Sequence, residues 1–415
     1  MVTEAVRTIQ TCRVCGVKGL AFLIDMGMHY LTNYVSDPDA PAMKAPLRLG
    51  RCKGCGLVQL IDYIDPELLY KGTLTAGYYW YRSSMNRTMR EHLSALAGEI
   101  EKRASLSPLD VVVDIGCNDG YMLSQFKTIG IVKVGYEPGP NLVVEAQKHG
   151  IIVFPWLFDA APYRKLLHKS ARVISAIAMF YDVNNPLVFC NHLSAILSDT
   201  PEALAVIEMN DLYSIVKNNA FDIIGHEHVC YYSLATLQRV LQGSNLEVYD
   251  VERFSINGGV LRVWIVRKGR KEIQPSVERY LHIEREVITD ENLNTLSRRI
   301  VTVGTRIYGI VREEVEKGGR VYIYGASTRG NTILQVCGLG SQLIKGAAEI
   351  HPDKIGKYIA GLNIPIVTEE EARKDATAFL VMPYSYKAEF LERERDFIAK
   401  GGKLIFPLPD CEVVG

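Results

Sequence analysis

Four cysteines restrict what this chain can fold into more than any other feature. Cys12 and Cys15 form one CxxC pair, Cys52 and Cys55 form another, and 36 residues separate the two pairs. Two thiolates three positions apart on a tight turn can face one tetrahedral zinc ion, and two such turns complete a shell of four sulfurs. Gly16 and Gly56 follow the pairs, where such turns bend. The spacer is long for a zinc ribbon, but closing a longer loop adds little entropic cost. Chance spacing or redox pairs are the other reading. A complete sulfur shell leaves no open position, so the zinc is expected to be structural, stapling a turn-rich segment with little core of its own. The remaining five of the nine cysteines are scattered, which suits a reducing compartment better than a disulfide framework.

With 415 residues, at roughly 100–200 per domain, two or three domains are expected. Lys+Arg and Asp+Glu both total 47, so the chain lacks the broad positive field that nucleic acid or anionic membranes need. The N-terminal MVTEAVRTIQTC holds no apolar stretch of signal-peptide length. No run of about 18 apolar residues occurs, so no membrane span is expected. The expected location is the cytoplasm, with no nucleic-acid or membrane partner.

Beyond the cysteine segment a helix is predicted around Ser84 to Ala104. LDVVVDIGCNDGYMLSQF then reads as a buried strand, a glycine turn and a helix. KVGYEP, ARVISAIAMF and ALAVIEM read as further strands with helices between, and GGVLRVWIV (258–266) as a late strand. Alternating strands and helices imply an α/β fold with a mostly parallel, doubly wound sheet. Residues 268–316 are helical and heavily charged. GGRVYIYGASTRGNTILQ then opens a second strand–turn–helix unit, with AFLVMPYSY and GGKLIFP as later strands. The expected domains are a zinc-binding domain 1–75, a central domain 76–267, a helical connector 268–300 and a C-terminal α/β domain 301–415. Glycine turns near 116 and 325 suggest two α/β layers with a cleft between them.

The turn Asp114-Ile115-Gly116-Cys117-Asn118-Asp119-Gly120 ends a strand, where ligands approach such sheets. Glu137 ends the next strand and can accept both ribose hydroxyls of an adenosine. The turn lacks both the GxGxxG pattern and a P-loop lysine. An acid before it disfavours pyrophosphate and favours a phosphate-free cofactor. S-adenosylmethionine (SAM), with its amino and sulfonium cations, fits. A generic α/β turn is the bland alternative, and Cys117 reads as a small residue that fits.

These pieces together are similar to a known family. A four-cysteine segment precedes VVDIGCNDG; HEH with aromatics, INGGVLRV and YGASTRGNT follow in order. The chain resembles the sugar C-methyltransferases of deoxysugar biosynthesis, which methylate nucleotide-linked keto-sugars. The resemblance covers nearly the whole chain. It implies a class I SAM methyltransferase sheet, a small N-terminal zinc domain and a C-terminal Rossmann-like domain. It also implies that a base removes the proton next to the ketone, and that the resulting enolate attacks the SAM methyl group. Position by position, the SAM turn falls on Asp114, Gly116, Asn118 and Gly120, with the ribose acid at Glu137. The sugar-facing tyrosine of YYWYRSS falls on Tyr79, with Ser83 beside it. Glu227 and His228 take the Glu and second His of the family's Tyr-His-Glu-His, His228 as the base and His226 as a sugar contact. Ser327, Arg329 and Asn331 are candidates for the phosphate or nucleotide, since a helix start with a cation is a ready anion site. The chain would act as a monomer or homodimer on a small-molecule nucleotide sugar.

Two positions depart from the family. Gly225 stands where the family has tyrosine before HEH, and Asp182-Val183-Asn184 replaces His-Val-Pro. Tyr181 or Tyr231 can substitute for a lost polar group. Both changes bear on the sugar and on the carbon methylated. Methyl transfer to oxygen, or a non-catalytic SAM and nucleotide-sugar binding protein, are the competing readings. An NAD oxidoreductase at the second glycine turn is weaker, because GASTRG lacks a third glycine and no strand-end acid is evident.

His226 and His228 invite a metal reading. On a helix, side chains two apart diverge by roughly 200°, whereas on a strand or extended loop they share a side. A helical zinc site wants HExxH, and no third ligand is visible. A solvent-facing and a hydrogen-bonded histidine is the bland alternative. Imidazole titrates near neutrality, which suits proton transfer; the choice of His228 over His226 rests on the resemblance alone. Tyr78, Tyr79, Trp80 and Tyr81 also read as packed aromatics, Arg329 as a solvated helix-start residue, and Glu208-Met209-Asn210 as strand-end packing.

Overall fold

The computed structural model describes residues 6–65, 68–69 and 78–415. The expected domain boundary at 75/76 lies outside the described residues. The N-terminal segment carries strands β1 (Val6–Thr8), β2 (Leu20–Tyr30), β3 (Tyr34–Val35), β4 (Lys44–Cys52), β5 (Val58–Leu60) and β6 (Asp62–Ile64). It is therefore more regular than its turn-rich sequence suggests. Register breaks between Phe22 and Ile24 and between Asp25 and Met28 interrupt the β2–β4 ladder, which hides the period-two pattern of β2.

The central sheet contains β7 (Val111–Ile115), β8 (Val132–Tyr136), β9 (Ile152–Phe154), β10 (Val173–Ile177), β11 (Leu204–Met209), β13 (Leu246–Phe254) and β14 (Val260–Arg267). The two-residue β12 (Cys230–Tyr231) lies outside it. Its order is β13-β14-β11-β10-β7-β8-β9. The five strands from β11 to β9 are parallel, and β14 runs antiparallel to β11. Both faces are covered, so β7 reads as an unbroken apolar run save for Asp114. The helix Arg87–Ala104 covers one face with Met89, Leu93, Leu96, Ala97 and Ile100, against Val112, Val206 and Trp264. Asn86 caps its start by accepting from the Met89 N–H. The chain lays down β7, β8 and β9 outward, then returns to place β10 on the other side of β7. The carboxyl ends of β7 and β10 therefore open at a topological switch point, where such sheets bind ligands.

The C-terminal sheet repeats the principle with β15 (Val321–Tyr324), β16 (Ile344–Glu349), β17 (Tyr358–Ile359), β18 (Ile364–Thr368), β19 (Ala378–Val381), β20 (Lys403–Phe406) and β21 (Glu412–Val414). Its order, β21-β20-β19-β15-β16-β18-β17-β3, puts a second switch point between β15 and β19. The connecting helices are Pro275–Val287 and Asp290–Glu316. The second runs unbroken through position 300, because its stripe of Leu293, Leu296, Ile300, Val303, Ile307 and Val311 is continuous at helical spacing.

The N-terminal segment ties the other two units together. β5 pairs with β12, just after the His-Glu-His loop, and β3 pairs with β17 of the C-terminal sheet.

Candidate functional site

The four cysteine sulfurs all lie within 4.8 Å of one another, with Cys12–Cys55 at 3.5 Å and Cys15–Cys52 at 3.4 Å. Sulfurs about 2.3 Å from a shared tetrahedral ion must sit about 3.8 Å apart. The set therefore fits a structural zinc with no open position. Among the described residues this quartet is the one group of His, Cys, Asp and Glu arranged to hold a metal, and the His-Glu-His stretch forms none.

A cavity of about 830 Å³ lies between the two switch points. Asp114, Gly116, Asn118, Glu137 and Met179 line it from the central sheet; Ser327, Arg329, Met382 and Pro383 line it from the C-terminal sheet. Tyr79, Ser83, Tyr181, Asp182, Glu227 and His228 complete the wall between them.

On the central side, buried Asp114 accepts from the Ser175 hydroxyl at 2.7 Å. Glu137 accepts the Asn118 N–H at 3.0 Å through Oε2 and the Gly139 N–H at 2.8 Å through Oε1. Burial pushes both carboxyls up to about 7, and each is near enough to other acids to add to the shift. Each Glu137 oxygen keeps a lone pair for a hydroxyl. Among the described residues no cation is an influence on either acid, which suits a cofactor that brings positive charge and no phosphate. The donor set thus fits SAM.

Two residues expected at the cofactor do other work. The Asn118 side chain donates to the Tyr81 carbonyl and accepts the Ser83 N–H, while Asp119 accepts the Ser84 N–H. Asn141 brackets the backbone of Tyr79, accepting its N–H and donating to its carbonyl, both at 3.0 Å. The turn thus straps the aromatic stretch over the cavity. Gly120 does not line the cavity; a Cβ there would meet Ile151 Cδ1 at 2.6 Å, so it is a packing glycine.

The two histidines part company because Gly225–His228 is a turn, closed by the His228 N–H to the Gly225 carbonyl at 3.1 Å, rather than an extended stretch. His226 turns away from the large cavity and donates through Nε2 to the Ala45 carbonyl at 3.2 Å. His228 donates through Nδ1 to the Ile223 carbonyl at 2.5 Å. A carbonyl only accepts, so Nδ1 carries the proton and Nε2 presents its lone pair. Burial pulls His228 down to about 4, so the ring is neutral at physiological pH. Asp182 Oδ1 stands 4.0 Å from Nε2, and the Tyr181 ring centroid lies 4.1 Å from that of the imidazole. Glu227 lines the cavity with no hydrogen-bond partner among the described residues, and burial pushes it up to about 7. Of the two substitute tyrosines, Tyr181 lines the cavity; Tyr231 is buried and accepts the Gly225 N–H instead.

The anion candidates divide. Ser327 caps the helix Thr328–Val336 at the cavity wall, accepting the Gly330 N–H. Arg329 lines the cavity with about a quarter of its side chain exposed, but its guanidinium is already engaged. Its guanidinium donates to Asp222, to the Asn257 carbonyl and to the Tyr384 hydroxyl. Asn331 lines a smaller adjoining pocket with His226, Tyr79 and Glu227, and donates to the Thr32 hydroxyl. The strand-end acid not evident in the sequence is Glu349, which accepts the Ala326 N–H; Lys354 donates to the Ala326 carbonyl at 2.7 Å.

Asp222, Ser175, Asn141 and Tyr384 carry no motif and emerge only in three dimensions. The one sequence signal was the position of Asn141 at the first turn of the helix after Glu137.

Comparison with known proteins adds three family matches in chain order. A zinc-binding domain model matches residues 12–70, a methyltransferase domain model matches 81–251, and a C-methyltransferase C-terminal domain model matches 255–409. C-methyltransferase NovU of Streptomyces niveus is 30% identical over 99% of this chain and 98% of its own length. Among solved structures, magnesium protoporphyrin IX methyltransferase of Synechocystis with bound SAH covers 46% of this chain and 92% of its own, at 13% identity and TM-score 0.35. A SAM-dependent methyltransferase of Clostridium acetobutylicum covers 43% of this chain and 92% of its own, at 10% identity and TM-score 0.33.

Proposed function

This chain belongs to the C-methyltransferase family and is a SAM-dependent methyltransferase with a structural zinc site, and we propose that its acceptor is a carbon next to the ketone of a nucleotide-linked keto-deoxysugar. The observation that carries this reading is the neutral His228 imidazole, its Nδ1 proton on a carbonyl and its Nε2 lone pair available at the cavity wall. A carbon acid beside a ketone needs such a base, whereas a hydroxyl acceptor needs no carbanion chemistry.

His228 Nε2 takes the proton from carbon. The electron pair moves onto the ketone oxygen, giving an enolate, and the imidazolium is stabilised by Asp182. Tyr79 and Glu227 are the acidic groups beside this point able to donate to the enolate oxygen, Glu227 because its raised carboxyl holds a proton up to about pH 7. Bound SAM supplies an electrophilic methyl group for the enolate carbon. Asp114 and Glu137 hold the cofactor's amino and ribose groups, while Asn118 and Asn141 hold the strap over it. Ser83 and the Ser327 helix start face the sugar nucleotide, with His226 and Asn331 around the adjoining pocket. Among the described residues no helix is long and apolar enough to cross a membrane. We read the protein as cytoplasmic, a monomer or homodimer acting on a small molecule.

The test is incubation with SAM and a panel of nucleotide-linked keto-sugars, read by mass spectrometry for the gain of one methyl. Carbon deprotonation is read separately, as solvent deuterium entering the sugar in the absence of SAM. Binding of SAM with neither methyl gain nor exchange on any sugar would overturn the acceptor.

A further inference from the structure

We propose that Asp222 is a positioning residue for the base: gripped from the C-terminal domain by Arg329 and Tyr384, it fixes the turn whose Ile223 carbonyl holds the Nδ1 proton of His228. This rests on the reading of His228 as the base.

Asp222 sits in the short turn Phe221–Ile223, one residue before that carbonyl. Its carboxylate is buried. It accepts from Arg329 Nε at 2.8 Å and Nη2 at 2.5 Å, and from the Tyr384 hydroxyl at 2.9 Å. On the other side of Ile223, the Thr332 hydroxyl donates to the Ile224 carbonyl at 3.1 Å. The residues flanking Ile223 are thus both tied to the C-terminal domain, at the start of its helix Thr328–Val336 and just after β19. The imidazole they serve belongs to the central domain.

A buried ion pair adds little net stability over apolar side chains of the same size. Its gain lies in fixing one arrangement. Here the arrangement decides which imidazole nitrogen can accept a proton. If the turn shifts, the Ile223 carbonyl no longer holds Nδ1–H, and the tautomer with the proton on Nε2 becomes populated. That tautomer presents a donor where the reaction needs an acceptor. Docking of the C-terminal domain thereby sets the fraction of enzyme with a competent base.

The experiment is nitrogen NMR of the full-length, zinc-loaded protein with 15N-labelled histidine, which reads the His228 tautomer directly and needs no substrate. Asp222→Asn, Tyr384→Phe and Thr332→Val are compared with the parent chain. The second and third remove single hydroxyls and keep the proposal testable if the first does not fold. The expected result is a rise of roughly 3- to 10-fold in the Nε2-protonated fraction in each variant that folds, the scale of one lost hydrogen bond. Zinc content and SAM affinity should stay unchanged. Deuterium exchange into the sugar and kcat should fall in proportion to the Nδ1-protonated fraction that each variant retains, at constant KM for SAM. An unchanged tautomer in all folded variants overturns the proposal and leaves the base intact. Exchange retained in His228→Ala overturns the base reading, and the proposal with it.

Discussion

His228 Nε2 and Asp182 Oδ1 face each other across 4.0 Å at the wall of the cavity. Asp182 is the first residue of the Asp-Val-Asn that departs from the His-Val-Pro of the resembled family. A carboxylate beside a neutral imidazole changes little until the imidazole takes a proton; it then stabilises the cation. His228→Asn should abolish solvent deuterium exchange at the sugar carbon and leave SAM affinity within a few-fold. Asp182→Asn should slow exchange by about 10- to 100-fold, the scale of a lost charge-assisted contact worth ~1.5–3 kcal/mol. The pH profile has a definite sign. Burial lowers the imidazole to about 4, so the competent, unprotonated form persists as pH falls through 6. The acid limb of kcat should therefore lie well below the ordinary histidine value of about 6.5. An acid limb at 6.5 or above would contradict a buried base.

The cofactor acids predict the opposite trend for binding. Asp114 and Glu137 are both pushed up to about 7 by burial, so much of the free enzyme carries them protonated at pH 6. A cationic ligand binds the ionised form, so SAM affinity should rise as pH rises from 6 to 8, and binding below pH 7 should release protons. Calorimetry in two buffers of different ionisation enthalpy measures that release. Zero release at pH 6.5 would rule out these acids as the cationic ligand's partners. Asp114→Asn should weaken SAM by roughly 10- to 100-fold.

Zinc removal should injure the base more than the cofactor site. β12, two residues beyond His228, pairs with β5, which follows the second cysteine pair, and the Leu60 N–H donates to the Val229 carbonyl. Asp114 and Glu137 stand instead on the parallel sheet. Structural zinc sites supply much of the folding energy of their segments. Chelation, or Cys52→Ser, should release one zinc per chain by elemental analysis and lower deuterium exchange at least 10-fold, while SAM affinity changes by a few-fold at most. Equal loss of both would mean that the metal supports the whole fold.

Much of this was legible along the chain. The cysteine spacing named its own ligand set, because a tetrahedral sulfur shell admits few other patterns. The β-branched run before Asp114 marked the first strand, because only a sheet covered on both faces tolerates so many apolar neighbours. What the sequence could not show was commitment. Arg329 looks like an unpaired cation until Asp222, more than a hundred residues earlier, is found paired with it. His226 and His228 look equivalent until the turn at Gly225 sends one toward Ala45 and the other toward Ile223. Hydrogen-bond partners distant in sequence decide such cases, and no local pattern encodes them.

Two glycines should respond to alanine in opposite ways. Gly120, taken from the motif as a cofactor glycine, has φ +78°, and an added Cβ would lie 2.6 Å from Ile151 Cδ1 and 3.0 Å from Ala146 Cα. The isoleucine end can yield, but the Ala146 backbone cannot, and the left-handed φ adds strain. Overpacking of this kind costs about 1–3 kcal/mol. Gly120→Ala should lower the melting temperature by roughly 3–10 °C. Gly98 sits on the exposed face of the helix Arg87–Ala104 with nothing within 4 Å of its would-be Cβ. Alanine there reduces the freedom of the unfolded chain and raises helix propensity, so Gly98→Ala should stabilise by ~0.5–1 kcal/mol. Differential scanning calorimetry of the two variants side by side checks both signs. An unchanged melting temperature for Gly120→Ala would return that residue to the role the motif suggested, a close approach to ligand rather than to Ala146.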